Sequence, residues 1–450
     1  MMKHSDIIPD QEFRKELLQL ALPVTLQCLL QSSFGVIDQV MTGQLGSVSI
    51  AGIGLAGKFI SLLTVMVQAI TAVAGIIIAQ AIGKNDRREA GKGFYTNLLL
   101  ALFLTAGFTA ISLLMPEMLM NVDSKDGATV AAAASYLRIY AISFLPMMLT
   151  AIVSAYLRCE KAAMIPLYAG ICAAVLNTVL NYLLIFGKFG FPQMGVRGAA
   201  WASVISQAAG CAVVVMIFLA RYGGKERLSP GIYRKSAELK VYLGILVPML
   251  ICEFLWVLGE NVYAFIYGHM GTEACAAMTL INPVVALMIG ALSGVAQATG
   301  IMVGKCLGAG EREKAYHTAG KLMKTGFWGS AALSVLLLLL RPYYVRIFNV
   351  EPEVRAMTSA ILAAFAVVAP LKVQNMILGG GVLRSGGKTE YVMVIDLIGT
   401  WMFGVPLGLL TAFVLKLPIV WVYFILSLEE CVRLLISAFL FRRKKWMRRL

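Results

Sequence analysis

Long apolar stretches dominate this chain and limit what it can fold into. A bilayer-crossing helix needs about 20 mostly apolar residues, and the sequence contains twelve such stretches separated by short polar breaks. Hydrophobic residues make up 59% of the chain and charged residues only 14%, against about 25% charged residues in soluble domains. We therefore predict an all-α integral membrane protein with twelve transmembrane helices, at approximately 17–41, 52–82, 93–115, 131–156, 164–186, 198–221, 242–268, 280–304, 319–340, 356–382, 391–413 and 418–441.

The net charge of +15 raises the question of a nucleic-acid partner. With both termini placed in the cytoplasm, most of the 39 Lys and Arg residues fall in inner segments, and three, Lys58, Lys372 and Arg433, fall within spans. This distribution is the positive-inside bias of a membrane protein. We predict a multi-pass protein of the cell (inner) membrane with cytoplasmic termini and no nucleic-acid partner.

The sequence contains few residue patterns that would indicate catalysis or a bound metal. Its eight cysteines are scattered singly and its three histidines lie in tails or loops, which predicts neither a disulfide framework nor a transition-metal site. Motifs such as H-E-x-x-H, the P-loop and the nucleophile elbow do not occur in it. We predict that the protein is not an enzyme and has no resident cofactor.

An internal repeat constrains the topology further. At an offset of 225 residues, LALPVT around Pro23 aligns with ILVPML around Pro248, and TGQLGSVSIAGIGL aligns with YGHMGTEACAAMTL. IIIAQAIGKNDRREA meets IMVGKCLGAGEREKA at the same offset. Because each repeat holds six spans, both enter the membrane from the same side and are parallel repeats.

The repeat predicts how the chain is divided. An N-terminal lobe over 1–220 contains spans one to six, a charged cytoplasmic linker covers 221–241, and a C-terminal lobe over 242–450 contains spans seven to twelve and a basic tail. Two parallel six-helix lobes are typical of alternating-access transporters that hold substrate between the lobes.

Several of these segments resemble one known family. DQVMTGQLGSVSIAG, the two repeated prolines, AYLRCEK with its echo VLRSGGK, and GTWMFGVPLGLL are similar to motifs of the multidrug and toxic compound extrusion family, over nearly the whole chain. The resemblance implies a V-shaped two-lobe antiporter that exports organic, often cationic and amphipathic, compounds in exchange for Na⁺ or H⁺. We expect a monomer. Relatives that flip lipid-linked oligosaccharides make a flippase the nearest alternative.

An aspartate within the first span, Asp38, is the first candidate site residue. A carboxylate inside the membrane costs at least about 2.5 kcal/mol at the bilayer centre and needs a partner. The fifth span places Asn177 and Asn181 one helical turn apart, at a depth that we estimate to match that of Asp38. Carboxylate and amide oxygens suit Na⁺ or a hydrogen-bonded proton site, and Ser203 offers a further hydroxyl.

The family resemblance implies the same role for some of these residues. Members carry the aspartate of the first span and an asparagine of the fifth in a cation site, which corresponds here to Asp38 and Asn177. Some members hold a second acid at the position of Asn181, and its absence leaves the choice between Na⁺ and H⁺ open.

The second repeat carries tyrosine, Tyr263, where the first carries Asp38. Its candidate ion-coupling residues are Glu253 on span seven and Asp396 on span eleven. An ion pair between Asp396 and Lys372 is sterically open, with structural and coupling roles both possible, and Glu429 and Arg433 are predicted to pair along span twelve. Candidate substrate-pathway residues are Gln27, Gln31, Gln68, Trp256, Glu260 and Lys372.

Three other functions compete with a drug antiporter. A flippase predicts a cavity rich in Arg and Lys, whereas Lys372 and Lys58 are the main intramembrane cations available for one. An enzyme requires a catalytic constellation, and a channel requires pore segments rather than two repeated lobes. We favour a secondary-active exporter.

Overall fold

The structure, a computed structural model, describes residues 10–122, 126–222, 230–348 and 350–450. All regular elements in these residues are helices, and eleven helices are long and apolar enough to cross a membrane. They are α1 (Asp10–Gly43), α2 (Ser47–Gly83), α3 (Arg87–Leu114), α4 (Gly127–Cys159), α5 (Met164–Phe186), α6 (Val196–Tyr222), α7 (Ser236–Gly268), α8 (Thr272–Gly308), α9 (Arg312–Tyr344), α10 (Pro352–Leu383) and α11 (Thr389–Val414). These helices confirm the first eleven predicted spans.

The twelfth predicted span, 418–441, is interrupted. Two shorter helices, α12 (Ile419–Leu426) and α13 (Glu429–Arg442), take its place. The Ser427 hydroxyl donates to the Tyr423 carbonyl oxygen at 2.7 Å, and two glutamates occupy the first turn of α13. Carboxylates are stabilised at the positive end of a helix dipole, which is the N-terminus. The two glutamates are therefore more stable in the first turn of a helix that begins at Glu429 than they would be in the interior of one long helix.

Helices α10 and α11 are irregular where hydropathy alone predicts uniform spans. The last eight residues of α10, Met376–Leu383, are π-helical, and so are Leu397–Gly404 and Leu410–Val414 of α11. The π-segments change which side chains share a helix face. Ideal α-helical spacing therefore does not predict the contacts made within these π-helical segments.

The described residues form two compact units. One contains residues 26–78 and 86–234, and the other contains the residues up to Thr25, residues 79–85 and residues 235–450. The predicted lobes, 1–220 and 242–450 with a linker at 221–241, stay a prediction. By packing, the start of α1 and the end of α2 group with the second repeat.

Close helix contacts explain this grouping. A Cβ on Gly294 of α8 would overlap the carbonyl oxygen of Ala21 on α1, and beside it the Thr25 hydroxyl donates to the Ala291 carbonyl oxygen at 2.9 Å. At the end of α2, a Cβ on Gly83 would overlap the carbonyl oxygen of Lys305. Small residues thus let the backbones of α1 and α2 approach α8, as is common between membrane helices.

The C-terminal residues pack against the same region. The side-chain nitrogen of Gln80, Nε2, donates to the backbone carbonyl oxygens of Ser385 at 2.7 Å and Arg448 at 3.2 Å. The side-chain oxygen of Gln80, Oε1, accepts from the backbone nitrogen of Leu450 at 2.8 Å. Trp446 is fully buried. One glutamine on α2 therefore connects the tail to the segment that follows α10.

Candidate ion-coupling sites

The first candidate site is centred on Asp38 of α1. The Asn181 side-chain nitrogen donates to Oδ1 of Asp38 at 2.5 Å and to Oδ1 of Asn177 at 3.1 Å. Asn181 is fully buried, whereas Asp38 and Asn177 are partly buried. The structure thus brings together the three side chains that the sequence placed at one depth.

Close packing of α5 and α6 adds hydroxyl groups to this site. A Cβ on Gly198 of α6 would lie 2.6 Å from the Leu184 carbonyl oxygen of α5, so glycine is needed for the close approach. The Asn177 side-chain nitrogen then reaches the hydroxyl oxygens of Ser203 at 3.5 Å and Ser206 at 3.4 Å. Ser206 was not among the residues predicted from the sequence, although its spacing of three from Ser203 puts both on one helix face.

Two tyrosines of α4 also belong to the surroundings of Asp38. Tyr136 and Tyr140, four residues apart, are stacked with ring centroids 5.5 Å apart. Both interact electrostatically with Asp38. Neither tyrosine was among the residues predicted from the sequence. The signal for them was the tyrosine pair in SYLRIY, whose spacing puts both rings on one face.

The chemistry of this first site follows from its oxygen atoms. Asn181 uses its nitrogen for Asp38 and Asn177, and its own Oδ1 is buried without a hydrogen-bond partner among the described residues. Buried polar atoms are normally satisfied. A carboxylate with an unsatisfied amide oxygen suits a small hard cation or a proton that bridges the two groups. Either would be cargo that moves through the protein.

In the second repeat, the predicted acids are held by arginines. Glu253 of α7 forms an ion pair of 3.2 Å with Arg384, the first residue after α10. Asp396 of α11 forms an ion pair of 3.5 Å with Arg433 of α13. A Cβ on Gly399 would overlap the Arg433 side chain, so this glycine gives the arginine its route across α11. Asp396 accordingly pairs with Arg433 and not with Lys372, the pairing that the sequence left open.

The position that corresponds to Asp38 in the repeat is also linked to a carboxylate. The Tyr263 hydroxyl donates to Glu429 Oε2 in a buried hydrogen bond. A Cβ on Gly404 would overlap both groups. The predicted ion pair of Glu429 with Arg433 is replaced by this bond, because Arg433 is directed to Asp396 and to the Thr400 hydroxyl. In the second repeat, the carboxylate near the position equivalent to Asp38 thus belongs to Glu429 of α13 and not to a residue of α7.

The predicted substrate-pathway residues are spread over both units. Gln27 is partly buried beside Gly170 on α5. Gln31, Gln68, Trp256 and Glu260 are exposed on the surfaces of their units. Lys372 is partly buried on α10. Their role in a pathway stays a prediction.

Spanning helices in two repeats, with carboxylates and amides inside the spans, are typical of membrane transporters. The sequence model of the MatE family matches residues 23–183 and 248–410. The chain therefore belongs to the MatE family, the multidrug and toxic compound extrusion transporters. The two matches begin 225 residues apart, which confirms the internal repeat.

Relatives of this chain extend over almost its whole length. It is 26% identical over 447 residues to the probable multidrug resistance protein NorM of Thermotoga maritima, covering 97% of this chain and 94% of that protein. It is 25% identical to the multidrug resistance protein PmpM of Pseudomonas aeruginosa, covering 88% and 83%.

A solved structure described as the outward-facing conformation of a multidrug resistance MATE family transporter matches the fold. The TM-score is 0.85 at 19% identity, over 96% of this chain and 97% of that one. The fold of this chain is therefore the two-lobe fold of the family.

Proposed function

We propose that this protein exports organic, often cationic, compounds from the cell in exchange for Na⁺ or H⁺, with Asp38 as the principal coupling group. The observation that carries the proposal is the contact between Asp38 and buried Asn181, whose amide oxygen is unsatisfied. Relatives named multidrug resistance proteins support the substrate class. We further propose a monomer in the cell membrane with both termini cytoplasmic, as the distribution of basic residues predicts.

Coupling by Asp38 has a simple energetic requirement. An ion shifts the balance between inward-open and outward-open states only by the difference in its affinity for the two. Asp38 suits this role because its described contacts are neutral groups, so an arriving cation or proton changes the net charge of the site. Glu253 and Asp396 are each balanced by an arginine and are the secondary candidates.

The flippase alternative requires cations that are available to a diphosphate. Arg384 and Arg433, two strong cations near or within the spans of the second repeat, are engaged by Glu253 and Asp396. The antiporter is therefore the function that we propose.

The first prediction concerns Asp38→Asn in proteoliposomes. With Na⁺ and pH gradients imposed separately and a fluorescent organic cation as substrate, we expect the variant to lose gradient-driven transport. The reason is that asparagine keeps the shape and accepts a hydrogen bond from Asn181, but cannot bind a proton or carry a charge. Elution in gel filtration and the unfolding temperature should stay at the wild-type values.

Glu117→Gln is the matched control. Glu117 is an exposed acid of the same unit, paired with Arg138 at 3.2 Å, and its neutralisation should leave transport unchanged. Gradient-driven transport at the wild-type rate by Asp38→Asn would rule out the coupling role of Asp38.

A further inference from the structure

Lys372 places an ammonium group inside the apolar span of α10. It interacts electrostatically with Glu430 and Glu429 of α13 and with Glu260 of α7. Glu429 and Glu430 are only 6% and 4% exposed. An ionised carboxylate buried to this extent is strongly unfavourable unless a positive charge balances it. The positive charge of Lys372 therefore helps to stabilise these buried carboxylates through longer-range electrostatic attraction.

The helix that carries Lys372 also supplies an amide to the same glutamates. Asn375, three residues on and therefore on the same side of α10, donates its side-chain nitrogen to Glu430 Oε2 and to the Glu430 carbonyl oxygen, both at 2.8 Å. Its own Oδ1 is buried and has no hydrogen-bond partner in the described part of the chain. Carboxylate oxygens and an unsatisfied amide oxygen thus lie within electrostatic range of Lys372, which is one helical turn from Asn375 on α10.

The composition of this group of atoms repeats that of the first site. In both, an asparagine donates its nitrogen to a carboxylate and keeps a buried, unsatisfied oxygen. Such oxygens are the ligands that hard cations prefer. The difference is that the second group contains the covalently attached cation of Lys372, whereas the described polar neighbours of Asp38 are amides and hydroxyls.

The other cation near these glutamates is directed elsewhere. Arg433 lies within electrostatic range of Glu429 and Glu430, but its ion pair is with Asp396 and its hydrogen bond is with Thr400. One arginine cannot balance Asp396 and both glutamates together. Lys372 supplies the missing positive charge.

We propose that Lys372 is a tethered cation that takes the place of a coupling ion in the second repeat. A tethered ammonium loses no translational freedom on binding, so it outcompetes free Na⁺ for the glutamates. Glu429 and Glu430 then need no Na⁺, and Na⁺ coupling runs through Asp38, the principal coupling group. The part concerning Asp38 rests on the proposed function, whereas the balancing of the glutamates by the charge of Lys372 can be tested separately.

The test measures Na⁺ binding to purified protein in detergent and involves no transport. Asp38→Asn is the background, because it removes the first site. In this background we expect the unfolding temperature to be the same in 100 mM Na⁺ as in choline. Adding Lys372→Met should leave the glutamates unbalanced and open to Na⁺. Their binding should raise the unfolding temperature of the double variant by about 2–5 °C between 1 and 100 mM Na⁺.

Two further variants make the result decisive. Lys372→Arg in the same background keeps the positive charge and should show no Na⁺ dependence. Adding Glu430→Gln to the Lys372→Met variant should abolish the Na⁺ dependence. If Lys372→Met does not fold, recovery of folding by Glu430→Gln would support the charge-balancing role, and failure to recover would overturn it.

Na⁺-dependent stabilisation of the Asp38→Asn protein with Lys372 intact would overturn the proposal. A folded Lys372→Met double variant without Na⁺ dependence would overturn it as well. Neither result would affect the Asp38 transport test, so failure of this inference and failure of the proposed function can be told apart.

Discussion

Asn181 shows how much a single buried residue contributes to the candidate site. Its nitrogen holds Asp38 and Asn177, and its oxygen is the buried acceptor that remains unsatisfied. The sequence placed these three residues at one depth from helix rise alone. It could not identify the donor and the acceptors, because these roles depend on the rotation of α5 about its own axis, which is set by the packing of α5 against α6.

We predict that Asn181→Leu weakens ion coupling. The change removes the buried amide oxygen that we propose as a ligand of the coupling ion, and an interaction of this kind with a charged group contributes about 1.5–3 kcal/mol. The apparent affinity for the coupling ion should therefore fall roughly 10- to 150-fold. The measurement is the initial rate of substrate transport in proteoliposomes as a function of the imposed Na⁺ or proton concentration.

Asn261→Leu is the control for this change. Asn261 is exposed, and its amide bonds the Val257 carbonyl oxygen of its own helix, so its replacement should leave the ion dependence unaltered. If Asn181→Leu kept the wild-type ion dependence, Asn181 would have no part in coupling.

At the scale of helices, glycines decide which helices meet closely. Gly83 and Gly308 form a reciprocal contact between α2 and α8, in which a Cβ on Gly83 would overlap the Lys305 carbonyl oxygen and one on Gly308 would overlap that of Gln80. The repeat alignment pairs these two glycines at the offset of 225 residues. It did not reveal that they face each other, because that requires the two repeats to be packed together.

We expect Gly83→Ala to lower the unfolding temperature in detergent. The added methyl group meets backbone atoms that cannot move aside easily, and overpacking of this kind costs about 1–3 kcal/mol. Gly107→Ala on α3 is the control, because a Cβ there meets nothing within 4 Å. The control should be neutral or stabilising, by up to about 1 kcal/mol from helix propensity. Equal unfolding temperatures for the two variants would show that the contact between α2 and α8 is loose.

At the scale of the whole molecule, the two compact units and the two repeats are different divisions of the chain. Residues 10–25 and 79–85 belong to the first repeat in sequence and to the unit of the second repeat in packing. Each supplies close contacts to α8, at Gly294 and at Gly308. The second half of the chain therefore leaves part of its packing surface uncovered when it is alone.

This packing predicts the behaviour of the separated halves. When residues 230–450 are expressed alone, the area of the monodisperse gel-filtration peak should be several-fold smaller than for the intact chain. The reason is that α8 loses its contacts with α1 and α2. Co-expression with residues 1–229 should restore the peak. Equal peaks with and without the first half would contradict the packing of residues 79–85 with the second repeat.

The membrane class, eleven of the twelve spans and the repeat can all be read from the amino-acid sequence. Each of these rests on an average over many residues. A span is recognised from the hydropathy of about 20 residues and the repeat from similarity over about 70, and local geometry hardly changes either average. The tertiary structure alone decided the interruption at Ser427, the π-segments and the partners of each charge. Asp396 pairs with Arg433 and not with Lys372. The Tyr263 hydroxyl donates a hydrogen bond to the carboxylate of Glu429. Pairing depends on helix rotation and on glycines that open a path, Gly399 and Gly404, and these are properties of neighbouring helices that no single span contains.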